Sequence, residues 1–75
     1  MSYKLTAKGQ AYLKELEKHF GALNLDGRLE LTVLLRVATG TGILSNLGGT
    51  TPDRLSSYFD AFDRMVDSRY IIEGE

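Results

Sequence analysis

The chain contains no cysteine and no tryptophan, one proline (Pro52) and one histidine (His19). Without cysteine, no disulfide can staple the fold, and thiolate metal sites and cysteine nucleophiles are excluded. A single histidine rules out a histidine-rich metal site. No apolar run approaches the roughly 18 residues of a membrane span. The first ten residues, MSYKLTAKGQ, lack the apolar stretch of a signal peptide. These absences lead us to expect a cytoplasmic protein that makes no use of a membrane. The net charge is only −1, so the chain as a whole has no pull toward DNA or anionic lipid.

What is present is ordinary for a folded domain: 75 residues, 43% hydrophobic and 25% charged. That length fits one small helical domain over residues 1–75. Such a chain buries only about 60% of its unfolded surface, so it needs a well-filled core or a partner subunit. Its charge is unevenly spread. Residues 1–20 carry Lys4, Lys8, Lys14 and Lys18 against two glutamates, a balance of +2. Residues 50–75 carry three arginines against six acids, a balance of −3.

Alternation of apolar and polar residues predicts a short strand at SYKLT. Thr6 then caps a helix, AKGQAYLKELEKHF, with an apolar stripe of Tyr12, Leu13, Leu16, Phe20 and, past the turn, Leu23. Gly9 lies in its first turn, where a missing side chain lets another backbone approach. Gly21 is the expected C-cap. NLDG reads as a turn, and RLELTVLLRVAT as a second helix. That helix is apolar nearly all round, so it belongs at the centre of the fold or in a subunit interface.

The stretch ATGTGILSNLGGTTPDRL holds four of the eight glycines and the one proline. A phosphate-binding loop needs a lysine after its last glycine, and this stretch has none. It reads instead as punctuation. Gly40 and Gly42 end the second helix, ILSNL forms one or two helical turns, and Thr51 with Pro52 opens the last helix. That helix, PDRLSSYFDAFDRMVDSR, sets Leu55, Tyr58, Phe59, Phe62, Met65 and Val66 along one face and Asp60, Asp63, Arg64 and Asp67 along the other. RYIIEGE then reads as a second strand, expected to pair antiparallel with the first. The fold class is mainly α: three or four helices with a two-stranded antiparallel sheet formed by the two ends.

Two segments carry a family likeness. MVDSRYI, Met65 to Ile71, is similar to the pattern LVxxGYI that leads from the recognition helix of winged-helix proteins into the wing. YKLTAKGQAYL, Tyr3 to Leu13, is similar to the pattern YxLTxKGxxxL that runs from the wing into a final helix. The chain thus resembles a winged-helix, helix-turn-helix domain in circularly permuted order, with Arg69 where the family usually has glycine. The resemblance implies a DNA-binding transcription regulator that needs no cofactor. Its phosphate- and base-contacting candidates are Lys4, Lys8, Lys14, Lys18, Arg54 and Arg64. The acidic last helix and near-zero net charge point the other way, since phosphate neutralisation supplies much of DNA affinity. They favour a protein-interaction module, or an inhibitor of the kind small phage and mobile-element proteins often are.

No nucleophile–base pair, metal cluster or cofactor loop is legible, so the expectation is a non-enzymatic protein. His19 reads as a surface histidine at a helix end, and Asp60, Asp63 and Asp67 as a solvated face. The apolar second helix and the aromatics of the last one lead us to expect a homodimer, with Leu31, Leu35, Tyr58 and Phe62 as candidate interface residues.

Overall fold

The computed structural model describes residues 2–40 and 51–74. The turn expected over Ile43–Leu47, and glycines 42, 48 and 49, lie outside them. The element order is β1 (Ser2–Leu5), α1 (Ala7–Lys18), a 3₁₀ turn (Phe20–Ala22), α2 (Leu25–Thr39), α3 (Pro52–Asp67) and β2 (Ile71–Gly74). The fold is mainly helical, with one short antiparallel sheet made by the two ends. Ser2 stands opposite Gly74, and Leu5 opposite Ile71. Ile71 is fully buried beneath the sheet.

Thr6 links the sheet to α1. Its hydroxyl oxygen accepts the Gly9 N–H at 3.0 Å, which caps the helix. The same hydroxyl donates to the Arg69 carbonyl at 2.6 Å, and the Thr6 N–H donates to the Tyr70 carbonyl at 3.0 Å. Gly9 makes that contact possible. A Cβ added there would collide with the Tyr70 carbonyl oxygen and lie 2.9 Å from its carbon. Arg69 has a left-handed backbone (φ 64°), the conformation that glycine adopts most cheaply.

Two helix ends differ from expectation. α1 stops at Lys18 with His19 as its cap, and Gly21 does not take the left-handed C-cap role. The His19 N–H closes the last turn by donating to the Glu15 carbonyl at 3.2 Å, and the chain then tightens into the 3₁₀ turn, with Ala22 N–H to His19 O at 2.9 Å and Leu23 N–H to Phe20 O at 3.2 Å. α2 begins at Leu25, so LDG is its first turn and not a loop. The cause is Asn24, whose side chain accepts the Gly27 N–H at 2.8 Å. Gly40 ends α2 in the left-handed conformation (φ 77°). Thr51 accepts the Arg54 N–H at 3.3 Å, with Pro52 opening α3.

The core gathers Leu13 and Leu16 of α1, Leu31, Val33, Leu34 and Val37 of α2, Tyr58, Ala61 and Met65 of α3, and Ile71. α2 is the central helix and packs on α1, α3 and β1. Its apolar circumference is therefore largely covered within one chain. Leu31 and Tyr58, expected at a subunit interface, lie in this core. Phe20 leaves the expected stripe because α1 ends two residues before it; its exposed ring packs beneath the Arg28 guanidinium, 5.3 Å from the centroid. Among the described residues, no helix is long and apolar enough to cross a membrane.

Candidate functional site

Three surfaces concentrate chemistry. The first is a polar junction of all three helices. Glu30 interrupts the apolar sequence of α2 and accepts the Tyr12 hydroxyl at 2.6 Å. Its other oxygen accepts Arg64 Nε at 3.2 Å. Tyr12 stacks on Tyr70, with centroids 4.5 Å apart and planes 12° from parallel. Lys8 Nζ lies 4.9 Å over the Tyr70 ring and donates to the Ser68 carbonyl at 3.0 Å. A cleft of about 450 Å³ opens beside this network, lined by Tyr12, Leu23, Asp26, Glu30 and Arg64 among others. In physical terms the network is a clasp, with each polar group directed at another element of the same chain.

The Tyr12 hydroxyl is pushed up from 10.0 to about 12, first by burial and then by the hydrogen bond and charge of Glu30. Burial raises Tyr58 as well. Because the folded state holds these protons more tightly than the unfolded chain, the linked stability is complete below pH 10. It is lost as pH climbs from 10 toward 12. Tyr12→Phe should flatten that loss in urea denaturation series run across this window. An unchanged slope would show that Tyr12 ionises equally in both states.

The second surface carries lysines. Lys4 and Lys14 line one groove of about 370 Å³ with Gln10, Leu13 and the acidic Glu17. Lys18 is exposed one helical turn beyond Lys14. The six basic residues picked out in the sequence do not converge: Lys8 is turned to Ser68 and Tyr70, Arg64 to Glu30, and Arg54 stands exposed in the first turn of α3.

The third surface is the outer side of α3. Asp53, Asp60, Asp63 and Asp67 are all exposed, and none is ion-paired among the described residues. The single apolar face expected of this helix divides in two. Tyr58, Ala61 and Met65 enter the core, while Phe59 stays 38% exposed beside the partly buried Leu55, Phe62 and Val66.

Among the described residues, the His19 ring meets Glu15 at 3.1 Å across one exposed turn. Among the described residues, no group of three or more metal-binding side chains comes together. The sequence reading missed the Tyr12–Glu30–Arg64 clasp. Its signal was the lone carboxylate within LELTVLL, since a charge so placed must find partners or water.

No model of a known protein family matches the chain, and no solved structure matches it. Over 59 residues, 79% of its length, the chain is 37% identical to the sporulation protein YunB of Bacillus subtilis (strain 168). The chain spans only 23% of that protein's length.

Proposed function

We propose that this chain is a small, non-enzymatic regulatory binding protein of the cytoplasm, with a permuted winged-helix-like fold and a protein as its partner. The fold label is supported by the way the two half-motifs meet. Thr6 and Gly9 of one dock on Arg69 and Tyr70 of the other, and Arg69 takes a left-handed backbone, which glycine adopts most cheaply. The partner class rests on one observation. α3, the counterpart of a recognition helix, exposes four aspartates, while Arg64 is committed to Glu30. A duplex laid along it would meet repulsion where DNA-binding helices supply phosphate contacts. The likeness to part of a sporulation protein supports a setting in sporulation for this binding.

Duplex DNA is a second reading, favoured by Lys4 and Lys14 sharing one groove. Gel retardation on random duplex tests the choice. Any band shift seen at about 50 mM salt should vanish by about 200 mM. A salt-resistant shift abolished by Lys14→Glu would overturn the protein-partner reading.

A homodimer belongs to the same proposal in a reduced form. With Leu31 and Tyr58 inside the core, the apolar surface left for a second copy away from α3 is Leu35 in the later half of α2 and, apart from it, Phe20 and Leu25 at the α1–α2 corner. Sedimentation at micromolar protein should give twice 8.3 kDa. A sharp monomer peak would remove the dimer from the proposal.

A further inference from the structure

Beside the row that fills the core, α3 carries a second apolar row at the edge of the core, in which Phe62 and Val66 are partly buried against it. Leu55, Phe59, Phe62 and Val66 follow one another at spacings of four, three and four, the rhythm that keeps side chains on one stripe of a helix. All four keep some exposure, Phe59 the most at 38%. β1 widens the row: the Tyr3 ring, itself 36% exposed, meets Phe62 edge-on at 5.1 Å.

One flank of the row is acidic. At 100° per residue, Asp63 and Asp67 fall on the side of Phe59 away from the core, with Asp60 next to them. Asp60, Asp63 and Asp67 are also three and four residues apart, so they repel one another along the helix. No cation among the described residues offsets them: Arg64, within reach by spacing, is turned to Glu30.

We propose that this row is the docking seam for a helix of another protein that pairs an apolar stripe with a flank of Lys or Arg. This rests on the protein-partner reading above and names the chemistry of that partner. Charge complementarity selects the occupant. A basic flank relieves the repulsion among the three aspartates while the apolar stripe covers Phe59 and its neighbours. A second copy is disfavoured on the same ground, because an antiparallel two-fold pair of α3 helices brings each acidic flank against its own equal.

The test uses the whole ¹⁵N-labelled chain and three synthetic peptides. The first is an amphipathic helix with leucines at three–four spacing and a lysine flank. The second has glutamates in place of the lysines. The third is a scramble of the first that keeps its charge and breaks the stripe. The lysine helix should shift the amides of residues 55–67, and both other peptides should bind at least about tenfold more weakly. Phe59→Ser should cost a similar factor without loss of fold, since that side chain lies outside the core. Shifts centred on the Lys4–Lys14 groove or the α1–α2 corner would overturn the seam and leave a protein partner in place. Equal binding of the scramble, or the same amides moving with protein concentration alone, would also overturn it. Failure of the protein-partner reading itself registers separately, in the salt-resistant DNA shift.

Discussion

Gly9→Ala is expected to lower the melting temperature by roughly 10–20 °C, although alanine is the better helix former. The intrinsic propensity of the exchange favours the variant by up to about 1 kcal/mol. Against this stands a backbone contact. The new methyl group would collide with the Tyr70 carbonyl oxygen, which also accepts the Thr6 N–H at 3.0 Å. A carbonyl in a fixed turn cannot swing aside as a flexible side chain can. α1 must lift from the turn before β2, at a cost of about 1–3 kcal/mol for overpacking and about 1 kcal/mol for the hydrogen bond. The net loss is about 1–3 kcal/mol, and its middle value of about 2 kcal/mol converts to a shift of that order for a domain of this size. Gly21→Ala is the matched control: nothing lies within 4 Å of its added Cβ, so a change within about 0.5 kcal/mol is expected. Melting curves followed by circular dichroism compare the two, and equal melting temperatures would mean that α1 and the turn are not packed as described.

Leu34→Ala should cost about 2–5 kcal/mol, the range for emptying a sealed core site. Leu35→Ala, one residue on, should cost under about 1 kcal/mol. Both remove the same atoms from the same helix, so propensity cancels. Leu34 has no exposed surface and Leu35 is 38% exposed. In so small a domain the first loss removes a large share of total stability, and Leu34→Ala should show a much lower urea midpoint. Similar midpoints for the two variants would mean that α2 is rotated from its described position.

Much of this fold is legible in the residues. Alternation in SYKLT and β-branching in RYIIEGE mark the strands, and the missing Cβ of Gly9 marks the close approach. The helix start at Leu25 is hidden because Gly27 reads as a breaker, while the capping strength of Asn24 appears only once its side chain meets the Gly27 N–H. Tyr58 and Phe59 show another limit. Neighbours in a helix point about 100° apart, so one turns inward and the other outward. The position of α2 decides which, and α3's own sequence does not encode that position. The clasp was hidden for the same reason. Glu30 announces itself as a lone charge, but Tyr12 and Arg64 lie 18 and 34 residues away along the chain.

The register of the two strands has a mechanical consequence. Ser2 lies opposite Gly74 at the open end of the ladder, and Leu5 opposite Ile71 at the closed end. Tension applied at the two ends therefore pulls across the ladder and not along it. The rungs are loaded one after another, starting at Ser2–Gly74, so the sheet peels like a zipper at low force. Peeling reaches Leu5 and Ile71 last, and just beyond them the Thr6–Tyr70 bond and the Gly9 contact hold α1 against the turn. Under load the molecule should yield in two stages: an easy opening of the strands, then a stiffer release at Thr6 and Gly9 that frees the helices.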